Sequence, residues 1–319
     1  MKKVVSILLA ALMVAAMCMS FTACESKKDT FTVGVCQLVP HAALDAATQG
    51  FVDALKDKFG DKVTVDVQNA AGDSNVCSTI VNSFVSKNVD LIMANATPAL
   101  QAAASATTTI PVLGTSITEY GVALNIENFN GVVGSNISGT SDLAPLSEQA
   151  QMIIDLFPEA KKVGLLYCSA EPNSTYQVNV VKEILEGKGL TCTEYKFSDS
   201  NDVVQVTEKA ADDCDVVYIP TDNTAASCAE TINNVLLPKK VPVVAGEEGI
   251  CKGCGAVTLS ISYYELGKKT GEMAAQILSG EKKVSEMAIE YDPNPVKKYN
   301  KDICEELGIE IPADYSPIE

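Results

Sequence analysis

The sequence contains no arginine and no tryptophan, and it has a single histidine, His41. Every basic residue is therefore a lysine, so a carboxylate ligand would have to be held by hydroxyl groups, backbone N–H groups or lysine rather than by a guanidinium fork. One histidine, without a glycine-rich phosphate loop or a nucleophile motif, offers little from which to build a catalytic centre. We expect a protein that is not an enzyme and that uses no cofactor and no metal ion.

Positive charge is also scarce, because 24 lysines stand against 41 acidic residues and give a formal net charge of −17. Such a surface repels phosphate backbones, so we expect no nucleic-acid partner. Beyond the first residues, the sequence has no apolar run long enough to cross a membrane. The remaining length suits two domains of ordinary size, each with its own core.

The N-terminus has the pattern of a secretory signal peptide: two lysines, an uncharged apolar run from Val4 to Met19, small residues, and then a polar stretch. The residues before Cys24 resemble the bacterial lipobox, which implies cleavage after residue 23 and acylation of Cys24. We predict a signal peptide at 1–23, a lipidated Cys24 with a tether over 24–30, and an extracytoplasmic protein anchored to the cell membrane. An ordinary signal peptide with an incidental cysteine is the alternative.

The cysteines do not form an obvious disulfide framework. Of the 11 cysteines, Cys18 leaves with the signal peptide and Cys24 carries the lipid, so an odd number remains, mostly inside apolar runs. That distribution is typical of small buried apolar residues. Only Cys251 and Cys254 have a suggestive spacing, for which a local disulfide, free thiols and a metal site all stay open.

Apolar runs rich in β-branched residues alternate with helical patterns in two series, from Phe31 to Gly114 and from Val163 to Ala245. This alternation predicts an α/β fold with right-handed crossovers and two doubly wound parallel sheets. We assign 31–140 to a first lobe and 141–280 to a second, with a hinge crossing near 131–141. The C-terminal segment, about 281–319, is predicted to return to the first lobe.

Ligands of open parallel sheets bind beyond the carboxyl ends of the strands, and polar residues occupy those positions in both predicted lobes. The first lobe offers hydroxyl and amide side chains, and the second offers carboxylates, amides and a hydroxyl. The candidates are Gln37, Thr97, Ser116 and Thr118 in the first lobe, and Glu171, Asn173, Ser174, Asp222 and Asn223 in the second. Each could equally cap a helix or form a turn.

Several segments occur in one order that resembles a family of ABC-transporter substrate-binding lipoproteins, whose characterised members take up aromatic amino acids such as tryptophan and tyrosine. The segments are QLVPHAALDAATQGF (37–51), ANATPALQAA (94–103), GSNISGTSD (134–142), LYCSAEPNSTYQ (166–177) and YIPTDNTAAS (218–227). The resemblance extends over nearly the whole chain after the signal peptide. It implies the type I periplasmic-binding-protein fold, two lobes that close on a small ligand, and an ABC permease as partner.

We therefore expect a free amino acid as ligand, with the aromatic residues tyrosine, phenylalanine and tryptophan as the candidates. The hydroxyls of Ser116 and Thr118, with Thr97, would hold its carboxylate, and Asp222 beside Asn223 would accept from its ammonium group. The adjacent pair Glu247 and Glu248 is expected to point apart into water. Tyr120 could stack on the ligand or simply pack in the core. A nucleoside or sugar as ligand, or a surface adhesin with a secondary cleft, are the alternatives.

Overall fold

The computed structural model describes residues 30–292 and 294–318, so the predicted signal peptide, Cys24 and the tether up to residue 29 lie outside the described residues. The strands are β1 Phe31–Gln37, β2 Val63–Asn69, β3 Leu91–Asn95, β4 Val112–Ile117, β5 Ile137–Ser141, β6 Lys162–Cys168, β7 Thr191–Phe197, β8 Val216–Ile219, β9 Val243–Ala245, β10 Val257–Ser260, β11 Glu290–Tyr291, β12 Val296–Tyr299 and β13 Ser316–Pro317. The helices are α1 Ala42–Phe59, α2 Ser74–Ser86, α3 Thr97–Ala106, α4 Tyr120–Leu124, α5 Leu146–Leu156, α6 Pro172–Gly187, α7 Val203–Asp213, α8 Asn223–Ser227, α9 Ala229–Leu236, α10 Glu248–Cys254, α11 Tyr263–Leu278 and α12 Lys301–Leu307.

The strands form two sheets, one in each lobe. The first sheet has the order β11-β5-β4-β3-β1-β2, and the second has the order β13-β12-β10-β9-β8-β6-β7. All neighbours in the first sheet are parallel, and in the second only β10 and β12 pair antiparallel. The predicted fold class, two doubly wound lobes of the type I binding-protein kind, is confirmed.

Each sheet is covered by helices on both faces, so each lobe has two apolar cores. The central strands are buried throughout, as β3 shows with five buried residues in succession, because both of their faces meet helices. In α1 the buried residues recur at helical spacing, which turns one face toward the sheet. The burial pattern therefore explains the apolar runs and helical periodicities of the sequence.

Helical periodicity in the sequence predicts helices over 42–59, 74–86 and 225–236, and α1 and α2 have the first two of these bounds. The helix predicted over 225–236 is two helices, α8 and α9, because Cys228 leaves the helical conformation at φ −112° and ψ 12°. Asp222 begins the first of these by capping it, and the break lets α9 pack against the second sheet through Ile232 and Leu236.

The chain passes between the lobes after β5, after β10 and between β11 and β12, which corrects the predicted boundaries at two places. The helix α11, assigned to the second lobe, packs on the first, where Met273 and Ala274 join a core with Phe51. The strands β12 and β13, assigned to the first lobe, extend the second sheet instead. The strand β12 pairs with β10, and this long-range pairing places the C-terminal strands in the second lobe.

The helices α1 and α11 approach each other closely because glycines face the contact. A Cβ atom on Gly267 would lie 1.9 Å from the Ala47 carbonyl oxygen, and one on Gly50 would lie 2.1 Å from the Tyr264 carbonyl oxygen. Both distances are far below any van der Waals contact, so only glycine fits at these positions. This contact fixes α11, and with it the start of the helix at Tyr263, to the first lobe.

Cysteines 36, 77, 168, 192, 214, 228, 251, 254 and 304 all have free thiols in the described structure. Cys251 and Cys254 are buried in the second lobe. Across the part of the chain that the structure describes, histidine, cysteine and acidic side chains form no cluster suited to a metal ion. Within the same residues, none of the helices combines the length and the apolar character that a membrane span requires.

Candidate ligand-binding site

A small cavity lies between the two lobes, at the carboxyl ends of both sets of strands. Its lining combines hydroxyl, amide and carboxyl side chains with two small apolar surfaces. The lining residues are His41, Leu44, Ser116, Thr118, Asp142, Asn173, Thr221, Asp222, Asn223, Ala226, Glu247 and Tyr263. The predicted position, beyond the strand ends of two sheets, is thus where the cavity lies.

Ser116 reaches the cavity from a distorted end of β4. The pairing of β4 with β5 shifts register between Gly114 and Ile117, and Ser116 has a φ of 55°, in the left-handed region. For a residue with a side chain this conformation costs about 1–2 kcal/mol. The Ser116 side chain is only 6% exposed and its hydroxyl has no hydrogen-bond partner. The strained turn therefore aims an unpaired hydroxyl at the cavity.

Unpaired polar atoms concentrate at this cavity. Six buried side-chain atoms in the described structure lack a hydrogen-bond partner, and four of them belong to lining residues: His41 Nδ1, Ser116 Oγ, Asp142 Oδ1 and Asn173 Oδ1. A buried polar atom without a partner costs about 1–3 kcal/mol. Four such atoms lie around one cavity, contributed by both lobes, and are therefore available to pair with a bound group.

Two of the lining carboxyl groups lie close to the hinge crossings. Burial raises the pKa of Asp142 to about 6, against the opposing effect of the Tyr263 and Thr118 hydroxyls. The Tyr263 hydroxyl donates to Asp142 Oδ2 at 2.8 Å. Burial likewise raises the pKa of Glu247 to about 7; its bonds from the backbone N–H groups of Gly249 and Ile250 oppose the rise, and the charge of Asp142 adds to it.

The third lining carboxyl group, Asp222, is held by its own lobe. Its Oδ1 accepts from the Ala225 N–H and its Oδ2 accepts from the Cys168 N–H, both at 2.7 Å. Burial and the nearby charge of Glu171 raise its pKa. Among the described residues, those that line the cavity include no lysine, so these three carboxyl groups face a space without a protein cation.

Glu171 joins the two loops that form the second lobe's side of the cleft. Its carboxylate accepts from the Asn223 N–H at 3.0 Å and from the Asn223 side-chain amide at 2.6 Å. It also accepts from the Thr224 N–H at 2.9 Å and from the Thr224 hydroxyl at 2.8 Å. Because its acceptor sites are used within the lobe, Glu171 positions Asn223 and does not itself line the cavity.

The structure brings five of the nine predicted site residues to the cavity and places four behind it. Ser116, Thr118, Asn173, Asp222 and Asn223 line the cavity. Gln37, Thr97, Glu171 and Ser174 are all buried but do not line it.

Gln37 shows why a residue at a strand end can be directed away from the cleft. Its side-chain amide donates to Asp45 Oδ1 at 2.6 Å, and its carbonyl oxygen accepts from the Thr48 hydroxyl at 2.6 Å. Both partners lie on α1. The helix that follows the strand thus satisfies the side chain internally.

The expectation that Glu247 and Glu248 both point into water is wrong for Glu247. Glu247 is 2% exposed, lines the cavity, and caps α10 by accepting from the Gly249 and Ile250 N–H groups. Glu248 points outward and pairs with Lys298 at 2.6 Å. The cap turns the first carboxylate inward, a signal that its position before a helix could have given.

Tyr120 packs in the first lobe rather than against the cavity. Its ring is fully buried and its hydroxyl donates to the Thr140 carbonyl oxygen at 3.1 Å. The ring fits beside the sheet because Gly114 and Gly139 have no side chains; a Cβ on either would lie 2.4 Å from the tyrosine oxygen. Of the two readings of Tyr120, the structure shows packing.

Several lining residues were not among the predicted ones: His41, Leu44, Asp142, Thr221, Ala226, Glu247 and Tyr263. His41 reaches across the cleft, where its Nε2 lies 3.4 Å from Asn223 Oδ1 of the other lobe. Burial lowers the pKa of His41, although Asn223 and the charges of Glu171 and Asp45 oppose this. The His41 ring therefore lines the cavity from the first lobe and contacts the second lobe as well.

Comparison with known proteins gives consistent matches over nearly the whole chain. A family model described as ABC transporter substrate binding protein matches residues 32–316. A tyrosine-binding protein of Clostridioides difficile (strain R20291) is 36% identical over 262 residues, which cover 80% of this chain and 74% of that protein.

Two solved structures are similar in fold and sequence. An ABC domain from Streptococcus pneumonia in complex with L-Trp has a TM-score of 0.86 at 31% identity, over 91% of this chain and 100% of that one. The ligand-free, open structure of a substrate-binding protein with adhesive properties from Clostridium difficile has a TM-score of 0.69 at 35% identity, over 91% of this chain and 99% of that one. The arrangement seen here thus resembles the tryptophan complex more than the open structure, although the identity is lower.

Proposed function

The chain belongs to the ABC transporter substrate-binding protein family and is the solute-binding protein of an importer rather than an enzyme, and we propose that its solute is a free amino acid with an aromatic side chain. The observation that carries this proposal is the cavity lining. The hydroxyls of Ser116 and Thr118 and the carboxyl groups of Asp142, Asp222 and Glu247 line one space between the lobes, and four lining atoms have no partner in the protein.

A zwitterion matches this lining. The hydroxyls of Ser116 and Thr118 suit a carboxylate in a protein without arginine, and the lining carboxyl groups suit an ammonium group. Leu44, Ala226 and the His41 ring supply surface against which an aromatic side chain can pack. The tyrosine and tryptophan named for two relatives support an aromatic ligand for this chain as well.

Calorimetric titration tests the ligand class. Residues Phe31–Glu319 form one compact unit, so the chain from residue 25 onward, unfolded and refolded to remove any co-purified ligand, is titrated with each of the twenty amino acids. Heat is expected with tyrosine, tryptophan and phenylalanine. Purine nucleosides and sugars serve as the comparison set, and binding of one of these with no heat from any amino acid contradicts the proposal.

We propose that the protein acts outside the cytoplasm, tethered by acyl chains on Cys24, and delivers the amino acid to an ABC permease. Support comes from the lipobox-like sequence before Cys24 and from the family. Cys24→Ser is expected to release the protein from the membrane fraction into the medium, because the lipid supplies the membrane affinity. A variant that stays membrane-bound contradicts the anchor, while leaving the ligand proposal untouched.

A further inference from the structure

We propose that the ammonium group of the amino acid binds at the hinge end of the cavity, at Asp142 and Glu247 with Tyr263 as a positioning residue, and not at Asp222. We call these three residues the hinge-end cluster. This inference rests on the proposed function, since it says where the ammonium group of the proposed amino acid binds. The chemical class recognised by the cluster is a primary ammonium group.

The cluster lies where the chain passes between the lobes. Asp142 follows β5 directly, at the first crossing, and Tyr263 begins α11 just after the second crossing. Glu247 follows β9 in the second lobe. All three line the cavity. A ligand group bound here therefore contacts both lobes and the crossing segments at once.

Asp142 has an acceptor that the protein leaves open. The side chain is 5% exposed, its Oδ2 is occupied by the Tyr263 hydroxyl at 2.8 Å, and its Oδ1 has no partner. The Tyr263 hydroxyl fixes the orientation of the carboxyl group, so the open oxygen has a defined position at the cavity. Such an atom is a recognition group rather than a structural one.

Glu247 adds a second acidic group within electrostatic reach. It is 2% exposed, and the charge of Asp142 contributes to the raised pKa of Glu247. Two neighbouring buried carboxyl groups disfavour each other's ionised form. A ligand cation between them favours the ionised form of both, so its binding is reinforced by the pair.

Asp222 differs from Asp142 in that the fold accounts for both of its oxygens. Each of its oxygens accepts from a backbone N–H, one at the start of α8 and one at Cys168. A negatively charged neighbour, Glu171, lies beside it and raises its pKa. Asp222 would be buried in this geometry with or without a ligand, whereas the open oxygen of Asp142 has no such explanation. Glu247 is likewise a helix cap, and it contributes to the cluster through its charge beside Asp142 rather than through an open oxygen.

The test compares two probes on three proteins by calorimetric titration. The probes are L-tyrosine and 3-(4-hydroxyphenyl)propionate, which is the same molecule without the ammonium group. The wild type is expected to prefer L-tyrosine by roughly 30-fold or more, as for a buried charge pair. Asp142→Asn is expected to lose most of this preference, because its affinity for L-tyrosine falls while its affinity for the deaminated probe does not. Asp222→Asn is expected to keep it.

Two further variants help to separate the outcomes. Glu248→Gln changes the neighbouring outward-facing carboxylate and should leave both affinities unchanged. Tyr263→Phe keeps the ring, removes the hydroxyl and should lower the preference in part, which gives a second reading if Asp142→Asn folds poorly. A wild type that binds L-tyrosine, with the preference kept in Asp142→Asn and lost in Asp222→Asn, overturns this inference alone. A wild type that binds no amino acid overturns the proposed function as well.

Discussion

The two sides of the cleft differ in how far their polar groups are paired within their own lobe. On the second-lobe side, Glu171 accepts four hydrogen bonds from Asn223 and Thr224, and Asp222 accepts two from backbone N–H groups. Among the described lining residues, the first-lobe side has three unpaired atoms, His41 Nδ1, Ser116 Oγ and Asp142 Oδ1, and the second-lobe side has one, Asn173 Oδ1. The second-lobe face is therefore organised mainly by folding, and the first-lobe face leaves more groups open for a ligand.

Because of this difference, we expect substitutions on the second-lobe side to lower stability and substitutions on the first-lobe side to weaken binding. Replacing an internally paired group on the second-lobe side should destabilise the protein, because its partners lose their hydrogen bonds. Replacing an unpaired group on the first-lobe side should cost binding and leave the fold intact or improve it. The following changes test each side in turn.

The largest effect is expected for Glu171→Ala. The backbone and side-chain donors of Asn223 and Thr224 lose their shared acceptor, so the free energy of unfolding should fall by about 4 kcal/mol. Urea denaturation measures it. The matched control is Glu248→Ala, which removes only the partly exposed pair with Lys298 and should cost less than about 1 kcal/mol. If the free energy of unfolding falls equally in the two variants, the internal pairing of the second-lobe side does not stabilise the fold as we expect.

The next largest effect is expected on the pH dependence of folding stability, measured without ligand, and it depends on Asp142. Burial raises the pKa of Asp142 to about 6, so the folded state holds this proton more tightly than the unfolded state does. Its contribution to stability is present below the ordinary pKa of about 4 and is lost as pH rises to about 6. Asp142→Asn should therefore be more stable than the wild type at pH 7.5, by about 2 kcal/mol.

Melting temperatures at pH 4.5 and 7.5 measure this effect for both proteins. The wild type should lose more stability than Asp142→Asn as pH rises, while Glu247, whose pKa burial raises to about 7, contributes a comparable slope to both. A variant that is less stable than the wild type at pH 7.5 would show that Asp142 is paired in the folded state, as the groups of the second-lobe side are.

A smaller effect is expected at Ser116, where one substitution should raise the stability of the fold and lower the affinity for the ligand. Ser116→Gly relieves the φ of 55° and should stabilise the protein by about 1 kcal/mol, while the lost hydroxyl should weaken tyrosine binding about tenfold. Ser116→Ala keeps the strain and loses the hydroxyl, so it should weaken binding without the gain in melting temperature. Unchanged affinity in both variants would place the ligand carboxylate elsewhere.

The smallest effect is expected where the two faces touch. His41→Ala removes the contact of Nε2 with Asn223 across the cleft, which is long at 3.4 Å. Tyrosine dissociation should become a few times faster, because most effects of contact mutations appear in the dissociation rate, and the melting temperature without ligand should not change. Stopped-flow measurement of dissociation gives the answer. An unchanged rate would mean that this contact does not help to hold the cleft shut.

Local sequence patterns were sufficient to predict much of the fold. The bounds of α1 and α2 followed from helical periodicity, and the alternation of strands and helices gave two parallel sheets. The destination of α11 and β12 did not follow. Their places depend on a glycine contact with α1 and on antiparallel pairing with β10, and neither leaves a local pattern in the sequence.

The same division holds for the site. The rule that ligands lie at strand ends located Ser116, Asn173 and Asp222 at the cavity. It could not distinguish them from Gln37, which occupies an equivalent position but is satisfied by α1. Nor could it find Asp142, because a carboxyl group beside a crossing faces the cavity only once the two lobes are assembled.

The packing of α1 against α11 has a consequence for how substitutions spread through this receptor. Any side chain at Gly267 would collide with the Ala47 backbone, and any at Gly50 would collide with that of Tyr264. The helix would have to tilt, and its first residue, Tyr263, would carry its hydroxyl away from Asp142. The proposed grip on the ammonium group of the ligand therefore depends on two positions that contribute no side chain, and a methyl group added at Gly267, one helical turn from Tyr263, is expected to weaken it.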